Sequence, residues 1–279
     1  TITHGYPMSI HEHTPRIGVV GAGAIGTELD RAFASTEIRL WERTRNEIDR
    51  PIRYIRMTPE TLLAAANDNK IDGVLFQRNS IPKNLASLLL KILKENNIGY
   101  GFDLDDDLLN VPKDKDPTGQ YSAYVPTLRD LLKSARFVTV STDILAKTIK
   151  SDSQNVIVLP NRVSKRLWGG ELPLRGKGKE VRALFMGTRT HGADFDIILP
   201  ALEVVHRLYP QFSVMLIGVT SEGELPSWVE RINIPEGSYS RFVPWLRDLT
   251  PRADFALAPL DDTDFNTLKS SLKLLDYGA

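Results

Sequence analysis

Residues 254–279 read DFALAPLDDTDFNTLKSSLKLLDYGA. The apolar run Phe255-Ala256-Leu257-Ala258 predicts a strand that stops at Pro259. A polar loop follows, and then a predicted helix carrying Lys269, Ser270, Lys273 and Asp276. Strand, loop and helix in that order form the unit of a parallel α/β sheet, and ligands of such open sheets sit at the carboxyl edge of the strands. Lys269 and Lys273 are four apart, so they share one face of the predicted helix. They also lie near its start, where free backbone N–H groups favour an anion. Two ammonium groups in that setting suit a phosphate or a diphosphate; on an arbitrary helix the same pair is a solvated face.

The same pattern repeats upstream. Arg16-Ile17-Gly18-Val19-Val20 reads as a buried strand, and Gly21-Ala22-Gly23-Ala24-Ile25-Gly26 turns into a helical run from Thr27 to Ala34. Ile38-Arg39-Leu40-Trp41 reads as a second strand ending in Glu42, where a dinucleotide fold places its ribose-binding acid. One reading is therefore an NAD(P) site using Gly21, Gly23, Gly26 and Glu42; the other is a tight first turn that packs a helix on a strand without a cofactor. Strands at 50–56, 71–76 and 98–104 alternate with helices at 59–66 and 85–96, which gives a parallel sheet covered on both faces. The polar, turn-rich stretch 111–124 predicts a mobile loop over a cleft. Strand 136–141, helix 142–150 and strand 156–161 complete the first unit.

Strand 98–104 runs into Asp103-Leu104-Asp105-Asp106-Asp107, four carboxylates in five positions. Hard cations take oxygen ligands, so the run is a candidate Mg²⁺ or Mn²⁺ site, and otherwise a solvated loop. A second unit opens at Val181-Arg182-Ala183-Leu184-Phe185-Met186. The turn Gly187-Thr188-Arg189-Thr190-His191-Gly192-Ala193-Asp194 then leads into a long helix to about Leu208. Glycine lets the backbone approach a ligand there, and Arg189 offers two-pronged phosphate contact. A lone loop histidine such as His191 is otherwise merely exposed. A strand at 212–218, a short helix after Phe242-Val243-Pro244-Trp245 and a strand near 252–258 lead back to the opening stretch.

Composition sets bounds. The 279 residues suffice for two domains, and 42% hydrophobic content is ordinary for a globular protein. Thirty-five basic and 35 acidic residues cancel, so nothing argues for nucleic acid and any anion site must be local. The absence of cysteine excludes disulfides and thiolate metal sites, which fits the cytoplasm. No apolar run is long enough to span a membrane. Residues 1–15 contain His11 and His13 but no apolar signal core, and read as an extended or disordered leader.

Together these motifs resemble the GT-B-fold glycosyltransferases, specifically bacterial family-4-like enzymes. The resemblance covers most of the chain from about Arg50 and is densest at 101–112, 159–161 and 183–279. It implies two Rossmann-like doubly wound domains facing across a cleft: a leader at 1–15, an acceptor-side domain at 16–163, a linker at 164–180 and a nucleotide-sugar domain at 181–279. The last is shorter than usual in the family and is read as incomplete. The implied activity is transfer of a hexosyl group from a nucleotide-sugar to a glycan, lipid-linked or other acceptor in bacterial polysaccharide assembly, with retention of anomeric configuration. No metal or other cofactor is implied, the nucleotide-sugar being a co-substrate. The setting implied is the cytoplasm, with peripheral association at the inner face of the membrane allowed.

The resemblance also assigns roles. Arg189, Lys269 and Lys273 are the catalytic cations; Gly187, Thr188, His191, Asp194, Ser270 and Asp276 bind the donor; Gly23, Arg78, Asp103, Asp105 and Asp106 line the acceptor side. Asp276 stands where the family has a glutamate that bonds the donor ribose, and Leu268 stands where it has an earlier acid. The aspartate run also resembles the metal-nucleotide motif of the other large glycosyltransferase fold, GT-A. Two alternatives stay open: an NAD(P)-dependent oxidoreductase built on the glycine-rich turn, and a non-catalytic nucleotide- or glycan-binding protein.

Overall fold

A computed structural model describes residues 14–21, 36–45, 52–171, 178–187, 192–218, 224–235 and 238–279. Gly23, Thr188, Arg189, His191 and the leader through residue 13 lie outside the described residues.

The first unit is built from β1 (Arg16–Val20), a π-helical turn (Glu37–Trp41), β2 (Arg53–Arg56), α1 (Pro59–Asn67), β3 (Gly73–Gln77), α2 (Lys83–Glu95) and β4 (Gly99–Leu104). It continues with α3 (Gln120–Ser134), β5 (Phe137–Val140), α4 (Asp143–Ile149) and β6 (Val156–Val158). After α5 (Lys165–Trp168), the second unit runs β7 (Val181–Met186), α6 (Gly192–Leu208), β8 (Phe212–Ile217), β9 (Val229–Ile232) and α7 (Tyr239–Leu249). It closes with β10 (Phe255–Leu257), α8 (Asp264–Thr267) and α9 (Leu272–Gly278).

Local chemistry starts the helices where the chain leaves a strand. Thr58 and Thr61 form a reciprocal capping box with Pro59 in the first turn of α1. Thr142 accepts the Leu145 N–H at the start of α4. Asp116 stands upstream of α3 and accepts the N–H groups of Tyr121 and Ser122 at 3.1 and 2.9 Å.

Both sheets are parallel throughout. The strand order is β2-β1-β3-β4-β5-β6 in the first and β10-β7-β8-β9 in the second. In each sheet the order reverses once, between β1 and β3 and between β7 and β10, and such a reversal opens a crevice at the carboxyl edge. Side chains alternate across β7 and β8. Leu184, Met186, Met215 and Ile217 pack with Val243 and Leu246 of α7 on one face. Ala183, Phe185, Val214 and Leu216 pack with Phe195 and Leu202 of α6 on the other. Burial on both faces makes this a doubly wound sheet, and the fold class expected from sequence holds for both units.

Four local expectations are corrected. Residues 38–41 form a π-helical turn rather than a strand, because Arg39 turns inward to a buried acid and Ile38 joins the apolar cluster of the second unit. The stretch 111–124 is not a free loop: it holds a short 3₁₀ turn, and its last residues already belong to α3. Residues 242–245 lie inside α7 rather than before it. Finally, Leu167 and Trp168, read as linker, pack in the second unit's core, and Arg247 fixes the following chain by donating to the carbonyls of Gly169 and Gly170 at 2.5 and 3.0 Å.

Candidate nucleotide-sugar site

The carboxyl edges of the two sheets meet. Thr142, after β5, donates its hydroxyl to the Leu268 carbonyl at 2.9 Å, and Asn161, after β6, donates Nδ2 to Ser270 Oγ at 2.7 Å. These two bonds flank Lys269, so the loop following β10 is pinned against the first unit on both sides of the lysine.

Behind the seam lies a buried network centred on Asp103, which is 1% exposed. Its carboxylate accepts two bonds from Arg39 Nε at 2.9 and 3.1 Å and one from Arg39 Nη2 at 2.6 Å. It also accepts Gln77 Nε2 at 2.9 Å and Thr139 Oγ1 at 2.6 Å. Arg39 spends Nη1 on the Leu159 carbonyl and on Asn161 Oδ1, at 2.7 and 3.0 Å. Burial lowers the Arg39 pKa, but Asp103 outweighs it and the guanidinium stays charged. Asp103 is thus buried behind Arg39, which links it to Asn161 and, through that amide, to Ser270.

The next two acids both pair with Arg78. Arg78 follows β3 with φ +50°, in the left-handed region that costs a non-glycine residue about 1–2 kcal/mol. That conformation aims Nη1 at Asp105 Oδ1 (2.7 Å) and Asp106 Oδ2 (2.8 Å), while the Arg78 N–H holds the Asp103 carbonyl at 2.9 Å. Burial lowers the Arg78 pKa and the two aspartates more than restore it. Asp107 turns away and accepts the N–H of Leu109 and Nδ2 of Asn110. The run therefore divides among three tasks, and among the described residues no group of acids and histidines converges as a metal site.

On the second unit the reversal between β7 and β10 is visible in the hydrogen bonding. The strands pair through Phe185 and Leu257; beyond them Tyr277 Oη accepts the Met186 N–H at 2.8 Å and donates to the Leu257 carbonyl at 3.2 Å. The Gly187 turn begins there, buttressed by Gly218 at φ +71°, where an added Cβ would lie 2.4 Å from the Gly187 carbonyl oxygen. Lys269 and Lys273 follow β10. They do not share one helix: α9 begins at Leu272, so Lys273 is on it while Lys269 lies in the bend after α8. Burial lowers the pKa of both. Lys269 lies 4.9 Å from the Phe265 ring and in the field of Asp106, Lys115, Asp194 and Arg78, which places it across the cleft from the first unit's acids. Lys273 Nζ sits 5.1 Å from the Phe185 ring, buried and without a hydrogen-bond partner among the described residues. A cation so deprived of water gains from an anionic oxygen more than a solvated one does.

Asp194, 3% exposed, accepts the Asp261 N–H at 3.0 Å and faces both lysines. Asp276, 8% exposed, accepts the Tyr239 hydroxyl through Oδ1 at 2.5 Å, and burial pushes its pKa to about 6 against the lowering effect of that bond. Glu42, the acid that the dinucleotide reading needs at a strand end, instead follows the π-helical turn. It is paired with Arg166 at 2.6 Å and accepts the Ser164 hydroxyl. Sequence reasoning missed Arg39, Asn161, Lys115 and Asn266. The first two act only through partners 64 to 122 residues away, which no local pattern reveals.

Two parallel, doubly wound units meeting at their carboxyl edges define the class as a Rossmann-like α/β protein of two units. No family model and no curated protein matches the chain. Among solved structures it is similar to UDP-GlcNAc 2-epimerase from Methanocaldococcus jannaschii at 9% identity and TM-score 0.45, over 86% of this chain and 77% of that one. It is similar to the Neisseria meningitidis UDP-GlcNAc 2-epimerase bound to UDP-GlcNAc at 14% and 0.46, over 82% and 74%. The glycotransferase of kitacinnamycin matches at 11% and 0.42, over 92% and 83%. At such distances, what those proteins bind does not transfer to this chain.

Proposed function

We propose that the chain is a glycosyltransferase that moves a hexosyl group, with retention, from a nucleotide-sugar to a glycan, lipid-linked or other acceptor in bacterial polysaccharide assembly. The observation that carries this reading is the reversal between β7 and β10, where the chain that follows β10 brings the desolvated Lys269 and the ammonium of Lys273, buried 5.1 Å from the Phe185 ring of β7 and unpartnered among the described residues. The donor diphosphate lies against that turn, with Arg189 joining the two lysines. Thr188 and His191 contact the diphosphate and sugar from the same turn, and Ser270 and Asp194 hold the lysine-bearing loop in place. Asp276 accepts a ribose hydroxyl through Oδ2, since Oδ1 is taken by Tyr239.

As the bond from the sugar to the β-phosphate breaks, negative charge builds on the leaving nucleoside diphosphate, and fixed cations in a water-poor crevice stabilise it. That is the task a metal performs elsewhere, so EDTA should leave donor binding intact. The acceptor approaches from Arg78, Asp105 and Asp106, beside the Gly21 turn that contains Gly23. The protein works in the cytoplasm, peripherally on the inner face of the membrane when the acceptor is lipid-linked; among the described residues no helix is long and apolar enough to cross a membrane.

The test is calorimetric titration of UDP, GDP and TDP into the protein and its Lys269→Ala and Lys273→Met variants. Each substitution is expected to weaken the bound diphosphate by about 1.5–3 kcal/mol, the range for hydrogen bonds to charged groups. Unchanged affinity in both variants contradicts the site.

A further inference from the structure

Asn266 is 4% exposed and lies on α8, in the loop that carries Lys269. Its side chain is oriented: Nδ2 donates to the Asp261 carbonyl at 2.9 Å, and the Asp261 N–H is held in turn by Asp194 at 3.0 Å. Its backbone is fixed as well, with the N–H on Thr263 Oγ1 at 3.2 Å and the carbonyl accepting the Lys269 N–H at 3.1 Å. With Nδ2 committed, the amide presents Oδ1 on its other side, and this oxygen is buried without a hydrogen-bond partner among the described residues. Lys273 Nζ, seven residues on, is buried and unpartnered in the same way; Asp194 holds the Asp261 peptide that takes Asn266 Nδ2, and its charge acts on Lys273. Buried polar groups are seldom left unpaired, and here an orphan acceptor on α8 and an orphan cation on α9 flank the bend that carries Lys269.

The two orphans have opposite needs. The ammonium takes an anionic oxygen. An amide oxygen repels one and takes a hydroxyl or an N–H instead. A ligand satisfying both carries phosphate beside a neutral group rich in hydroxyls. We infer that Asn266 is a specificity-determining residue whose Oδ1 accepts a hydroxyl of the donor's sugar, while Lys273 holds the adjoining phosphate; this rests on the donor site proposed above. The sugar rather than the ribose is assigned to Asn266 because Asp276 already provides an acceptor for the ribose. A site that depends on an oriented acceptor discriminates strongly against a sugar lacking that hydroxyl, because the amide oxygen is then buried unpaired.

The experiment compares UDP with UDP-glucose and UDP-N-acetylglucosamine, GDP with GDP-mannose, and TDP with TDP-rhamnose, by calorimetry on the full chain and on Asn266→Ala. The best-bound sugar nucleotide is then repeated with each ring hydroxyl removed in turn. The expected result is that Asn266→Ala weakens the sugar nucleotide by about tenfold or more while the matching nucleoside diphosphate changes less than about twofold. One deoxy sugar should reproduce that loss in the unaltered protein and cost nothing further in Asn266→Ala. Equal weakening of diphosphate and sugar nucleotide would assign Asn266 to the ribose or to loop structure and overturn the inference. Indifference of the unaltered protein to every deoxy sugar would do the same, leaving Oδ1 to an ordered water, and this arm needs no folded variant. If the unaltered protein binds none of the nucleotides, the donor site itself fails, which is a distinct result.

Discussion

Asp276→Asn should stabilise the protein at neutral pH and do so by an amount that vanishes in acid. The carboxyl of Asp276 titrates at about 6 in the folded chain against 3.8 when unperturbed, because burial disfavours its charged form and the bond from Tyr239 only partly compensates. The native state therefore binds this proton more tightly than the unfolded state. Its contribution to stability is complete below about pH 3.8 and is lost as the pH rises through about 6. The rise from 3.8 to about 6 makes the ionised carboxylate cost about 3 kcal/mol at pH 7.5. Asparagine has nearly the same shape, can still accept from Tyr239 and does not ionise. Urea unfolding followed by far-ultraviolet dichroism should show Asp276→Asn more stable by up to about 3 kcal/mol at pH 7.5 and equal to the parent near pH 4. A stability difference of the same size at both pH values would refute the reasoning. The variant should also bind the nucleoside diphosphate more weakly, because a costly carboxylate at this position is explained by its use on a ligand.

Two other substitutions probe the frame of the site. Arg39→Met leaves the carboxylate of Asp103 buried without its countercharge and should cost about 3–5 kcal/mol by denaturant unfolding; a loss below about 1 kcal/mol would show that the pair is dispensable. Gly218→Ala places a Cβ 2.4 Å from the Gly187 carbonyl at a residue with φ +71°. It should lower stability by more than about 1 kcal/mol and weaken diphosphate binding, since the Gly187 turn must shift; unchanged binding would separate that turn from the donor.

The parallel sheets were legible because their strands are short apolar runs bounded by glycine, proline and polar turns, and the chain alternates strand with helix. Charged residues misled where their partners are distant. Ile38-Arg39-Leu40-Trp41 has the composition of a strand, yet Arg39 is drawn to Asp103 and the backbone coils to deliver it. Phe242-Val243-Pro244-Trp245 was read as preceding a helix, but Pro244 is accommodated within α7. The edge strand β9 went unread because its sequence VERI carries two charges. Lys269 and Lys273 were singled out by their spacing, although the first lies in a bend and the second on α9 rather than both on one helical face. The aspartate run showed itself as a cluster, but which acid pairs with Arg39 and which with Arg78 is set only by the fold. Asn266 gave no signal, because an unpaired amide oxygen exists only once the loop is folded around it.

The most direct measurement is a crystal structure of the chain with a nucleoside diphosphate, UDP first. The account predicts the diphosphate at the carboxyl edge between β7 and β10, within hydrogen-bond distance of Lys269 and Lys273, against the Gly187 turn. A diphosphate found instead at the Gly21 turn between β1 and β3, with Glu42 released from Arg166 to hold a ribose, would contradict it and restore the dinucleotide reading.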